Sequence, residues 1–162
     1  MAGRKRTMKK HLKLAVTLAV EEYPGQSVFQ ITFSREALRD WCLGLCLLRA
    51  RLVVALILAE ERGTKAAEIQ ILSGAKRGDK ARADLRSEPP RLEIVENQLD
   101  YLLSFFLKYY RDGVAEVDHL DLEAVAVGSK STAAYITITV PDFRPPMSLE
   151  ELEKLLGSEE TP

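Results

Sequence analysis

Leu14, Val16, Leu18 and Val20 alternate with Lys13, Thr17 and Glu21, a period of two that predicts a half-buried strand. Tyr23-Pro24-Gly25-Gln26 follows, with Pro suited to position i+1 and Gly to position i+2 of a type II turn. Phe29, Ile31 and Phe33 then resume the alternation against Gln30 and Thr32, so the first unit reads as a hairpin. The period changes at Ser34, an expected N-cap with Glu36 in the first turn. Leu38, Trp41, Cys42, Leu45 and Leu48 recur at helical spacing beyond it.

The run Leu52 to Ala59 admits two readings. Leu52, Ala55, Leu56 and Ala59 extend the helical face, with Gly63 as its C-cap. Val53, Val54 and Ile57 instead bring β-branched residues to a run bounded by Glu61-Arg62-Gly63-Thr64. Periodicity cannot separate the two in a continuous apolar run. The β-branched content favours a strand paired with 68–72 as a second hairpin. Residues 73–90 read as a long exposed loop, with 81–85 as one helical turn within it.

Residues 91–96 alternate again. Asn97 is the expected cap of a helix whose buried stripe is Leu99, Leu102, Leu103, Phe106, Leu107 and Tyr110, ended by Gly113. Leu120, Leu122, Ala124 and Ala126 face one way on the next strand, and His119, Asp121 and Glu123 the other. Gly128-Ser-Lys-Ser131 turns the chain into a second strand over 134–140. Ser148-Leu-Glu-Glu151 is a capping-box signature for a short helix ending near Gly157. The resulting expectation is an α+β fold: a mostly antiparallel sheet built from hairpins, two main helices packed on one face, and a short C-terminal helix. A basic flexible arm (1–10), a single domain (11–157) and a polar tail (158–162) complete the predicted organisation. No internal repeat stands out beyond the echo that each half holds a helix followed by strands.

Composition adds a core and a polarity. Of the 162 residues, 46% are hydrophobic, enough for a buried interior. Residues 1–91 carry 18 Lys+Arg against 10 Asp+Glu and residues 92–162 carry 5 against 14, so a chain of net charge −1 is a basic half joined to an acidic half. Cys42 and Cys46 lie in one apolar segment, unlike a secreted disulfide framework, which points to a reducing, cytoplasmic location. The apolar stretch 41–59 contains Arg49 and Arg51, each costing about 2.5–3.5 kcal/mol at a bilayer centre, so no membrane association is expected.

Several candidate sites can be weighed. His119, Asp121 and Glu123 share one strand face about 6.6 Å apart, close enough for an acid–base pair but too few for a metal cage. A solvated outer face is the simpler account. Cys42 and Cys46 are four apart within a helix, the wrong spacing for a redox motif, and read as small buried hydrophobes. The 74–80 loop has one residue too few for a P-loop and Asp before its Lys. No G-x-S-x-G nucleophile motif and no cofactor signature is present.

The leading expectation is therefore a non-enzymatic protein–protein interaction protein of accessory, inhibitory or immunity type, which includes self-association. Its expected contacts are Asp118, Asp121 and Glu123 on the acidic sheet, with Tyr101, Phe105 and Tyr109 as aromatic anchors on the flanking helix. One alternative is nucleic-acid binding through Arg4, Lys5, Arg6, Lys76, Arg77 and Lys80. Against it stand the net charge and the lack of aromatics among the basic runs. The other is a hydrolase-like enzyme using His119 with Asp121 or Glu123, for which no nucleophile or oxyanion donor is evident.

Overall fold

The computed structural model describes residues 11–60, 68–73, 80–84, 86–127 and 133–157. In chain order its elements are β1 (His11–Tyr23), β2 (Gln26–Thr32), α1 (Leu38–Arg49), β3 (Ala55–Glu60), β4 (Glu68–Ser73), β5 (Ala81–Asp84), β6 (Arg91–Ile94), α2 (Glu96–Asp112), β7 (His119–Val127), β8 (Ala133–Thr139) and α3 (Leu149–Gly157). The predicted arm, the 61–64 and 128–131 turns, the 74–79 loop and the tail lie outside the described residues.

The sheet closes on itself in the order β1-β2-β8-β7-β5-β6-β4-β3. Antiparallel and parallel joins alternate around the whole circumference. The antiparallel joins are the hairpins β1·β2, β3·β4, β5·β6 and β7·β8. The parallel joins are β1·β3, β2·β8, β4·β6 and β5·β7. This overturns the expected open, mostly antiparallel sheet with helices on one face. The β1·β2, β3·β4 and β7·β8 hairpins were legible and β5·β6 was not, but hairpins leave free edges, and the cost of unpaired edge groups is removed here by parallel pairing between hairpins until no edge is left.

The connectivity also contains the repeat that the residues do not advertise. Strand, strand, helix, strand, strand occurs twice, and β1·β3 in the first half corresponds to β5·β7 in the second. β2·β8 and β4·β6 join the halves reciprocally. The buried helix positions Leu38, Trp41, Leu45 and Leu48 recur at the same spacing as Leu99, Leu102, Phe106 and Tyr109.

Alternation along the strands places one set of side chains inside. Leu14, Val16, Leu18, Phe29, Ile31, Leu56, Leu58, Ile69, Ile71, Leu92, Ile94, Leu120, Leu122, Ile136 and Ile138 join both helices in one core. A Cβ on Gly44 would meet Leu56 Cδ2 at 3.1 Å and Leu12 and Leu14 at 3.4 Å, so α1 lies close against inward side chains of β1 and β3. Phe33 stacks on Trp41 with centroids 5.3 Å apart, and Phe106 meets Trp41 edge-on at 5.8 Å. Among the described residues no helix is long and apolar enough to cross a membrane.

Four local expectations change. The 81–85 turn is strand β5, with Ala81 and Ala83 fully buried; its small polar-flanked sequence has low strand propensity, and pairing on both sides overrides it. Ser34 caps the turn before α1, its Oγ accepting from Ala37 N at 3.3 Å, while Ala37 occupies the N-cap position. Val95 precedes α2, so Asn97 lies inside the first turn and does not cap it. The stripe of α2 is also rotated: Tyr109 is buried, whereas Leu107 and Tyr110 are exposed.

The 52–59 question is settled by how α1 ends. Leu52 N donates to Leu47 O at 2.9 Å and Arg51 N to Leu48 O at 3.0 Å, with Arg51 at φ +56. This is a Schellman closure with arginine in the position that usually holds glycine. The chain leaves the helix there and enters β3.

Candidate interaction surface

β7 carries its acidic residues outward because its inward positions are Leu120, Leu122 and Ala124. His119 Nδ1 lies 2.6 Å from Asp118 Oδ1, and its Nε2 lies 3.4 Å from Asp121 Oδ2. Both ring nitrogens thus face carboxylates, an arrangement suited to imidazolium. The Asp118 hydrogen bond, joined by the Asp121 and Asp118 charges, raises the His119 pKa above 6.5 against an opposing desolvation. In its protonated form the ring has no nitrogen lone pair free to act as a general base.

Thr137 Oγ1 donates to Asp121 Oδ1 at 2.6 Å, and Lys80 Nζ donates to Glu123 Oε1 at 2.9 Å. The Lys80 bond follows from the parallel β5·β7 register, which sets Ala81 beside Ala124. Here the basic and acidic halves of the chain meet directly. They meet again where Arg49 contacts Glu96 Oε1 and Asp100 Oδ1, each at 2.6 Å. That guanidinium holds the Asp100 carboxyl below the ordinary range, chiefly by hydrogen bonding.

The three aromatic positions do not form one strip. Tyr101 is exposed, Phe105 is half-buried with its ring edge-on to Phe106 at 5.2 Å, and Tyr109 is buried. Of the basic set, Arg4, Lys5, Arg6, Lys76 and Arg77 lie outside the described residues, and Lys80 is engaged by Glu123. Among the described residues no group of three His, Cys, Asp or Glu side chains is placed to hold a metal ion. Cys42 is buried, and burial, reinforced by Cys46, pushes its thiol up to about 11.

Two features escaped the sequence reading. The first is a cavity of about 470 Å³ where β2 leaves β1, lined by Thr17, Thr32, Ser34, Glu36, Asp40 and Glu60 among others. The second is α3. Its capping box is complete: Ser148 N donates to Glu151 Oε2 at 2.8 Å, and Glu151 N donates to Ser148 Oγ at 3.3 Å. Yet the helix contains no buried residue. Leu149, Leu152, Leu155 and Leu156 are 77%, 42%, 57% and 72% exposed, and Met147 beside them is 51% exposed. Leucines at 149, 152 and 156 repeat at helical spacing, a signal present in the sequence.

The approach to α3 is tied down. Ala115 N donates to Arg144 O at 2.9 Å, and Val140 N donates to Asp118 O at 2.8 Å. Pro146 lies over a hollow of about 110 Å³ formed with Phe105, Lys108, Tyr109, Val114, Ala115 and Glu116. Compared with protein-family models, curated proteins and solved structures, the chain matches none of them.

Proposed function

We propose that this protein acts by association with another protein, through the leucine face of α3 and the carboxylates beside it. One observation carries the reading: a capped amphipathic helix that buries none of its own apolar side chains. Isolated helices shorter than ~12–15 residues are marginal in water, and α3 has nine residues. A capping box contributes about 1 kcal/mol, which does not offset the nucleation cost. Burial of its leucines, at roughly 1.5–3 kcal/mol each when complete, would.

The acidic part of the contact is assigned to Glu150 and Glu153, because Asp118, Asp121 and Glu123 already hold intramolecular partners and Glu151 closes the Ser148 cap. The partner that fits is an apolar groove with a basic rim, an arrangement in which charge selects and speeds the encounter. A photo-crosslinking residue placed at Leu152 in the full chain, in its native cells, is the test. Adducts joining two chains are expected. Products confined within one chain would reject the reading.

A further inference from the structure

We infer that the surface receiving α3 belongs to a second copy of this chain, and that it is the outer seam between α1 and α2. This deepens the association reading and rests on it. The two helices pack together, and the Arg49 contacts to Glu96 and Asp100 set the end of α1 beside the start of α2. Along the outward side of the pair, Leu43, Leu107 and Tyr110 are 48%, 44% and 54% exposed, with Cys46, Leu47 and Leu103 half-buried among them. A groove between two helices lined with such residues accepts the apolar side of a third.

Charge points the same way. Arg35 before α1, Arg39 in its first turn and Arg51 just past its end are exposed and form no salt bridge among the described residues, with Glu36 and Asp40 beside the first two. α3 offers Glu150 and Glu153, besides the capping Glu151, against Lys154. The three arginines of the acceptor can complement the carboxylates of the donor.

The geometry of the connection favours a second copy over the chain's own seam. On α2, Phe105 and Lys108 lie on one flank of the buried stripe, and Leu103 and Leu107 lie on the other. Pro146 packs on the Phe105–Lys108 flank. Only Met147 and Ser148 separate it from α3, a reach of roughly 7 Å, whereas a helix with its side chains is about 10–12 Å across. Each copy can give its α3 and receive its neighbour's, which closes a twofold dimer of two identical contacts.

Sedimentation velocity on the full chain from low micromolar to about 100 µM gives the decisive measurement. The wild type is expected to dimerise. L152D/L156D on α3 and L43E/L107E on the seam should each weaken dimerisation roughly tenfold or more. All four positions are exposed, so the thermal midpoint of the barrel should stay near wild type at monomer concentrations, and loss of helical circular dichroism should not exceed that of α3. Mixing the two variants should restore a weaker heterodimer, because one α3–seam contact is then intact.

A monomeric wild type throughout that range overturns the inference. If Leu152 nevertheless crosslinks to another protein, the association reading survives that failure. If Cys46 alkylation in a monomer is slow and L152D/L156D speeds it, α3 covers its own seam and both readings fail.

Discussion

The Tyr109 hydroxyl, buried at the end of α2, donates to the Pro141 carbonyl 2.5 Å away, with Asp142 O at 3.0 Å sharing the proton. This bond fastens the segment that leaves β8 onto the helix and so fixes where α3 begins. Tyr109→Phe removes the donor and leaves the carbonyl of buried Pro141 without it. A loss of about 1–2 kcal/mol in unfolding free energy is expected by urea denaturation, with faster amide exchange over 141–148. An unchanged midpoint would mean that water replaces the hydroxyl.

Arg51 holds a left-handed backbone at φ +56, a conformation that costs a side-chain-bearing residue roughly 1–2 kcal/mol. Glycine relieves that strain but adds about 0.4–1 kcal/mol of unfolded-chain entropy. Arg51→Gly should therefore raise stability by up to about 1 kcal/mol in the same denaturation assay. Destabilisation would show that the Arg51 side chain matters more than its backbone.

His119 should titrate above 6.5 in the folded protein, followed by its imidazole proton resonances. With the folded pKa raised, the stabilisation it supplies is full below about 6.5, the unfolded value, and disappears as pH rises through the folded one. Asp118→Asn should lower the midpoint, because the Asp118 hydrogen bond is the largest cause. Added salt should lower it as well, since the cluster is exposed. A midpoint at or below 6.5 in the wild type would mean that the clamp does not form.

Cys42 and Cys46 should separate under alkylation at pH 8 in dilute protein. Cys46 is half-buried and should react first, while Cys42, pushed up to about 11 by burial, should react only after unfolding. Mass spectrometry should therefore find one modified thiol in native protein and two in urea. Simultaneous modification would show that the wall around Cys42 opens readily.

Particular residues show why the surface was harder to read than the elements. The capping box at Ser148 and Glu151 was legible because its two bonds are local. The aromatic strip was not: Tyr109 and Tyr110 are adjacent, and a small rotation of α2 decides which of them enters the core. Lys80 and Glu123 lie on different hairpins, and nothing in either stretch announces their contact. It exists because β5 and β7 pair in parallel at that register.

The sequence alone determined the first and last hairpins and the three helices, since periodicity, turn residues and caps act within a few residues of one another. The left-handed end of α1 at Arg51 and the strand at 81–84 were decided by the fold, where closure and pairing on both sides outweigh weak local preference. Barrel closure itself was also a tertiary decision. Parallel joins such as β2·β8 link segments about a hundred residues apart in sequence, and no local pattern encodes which free edge will meet which.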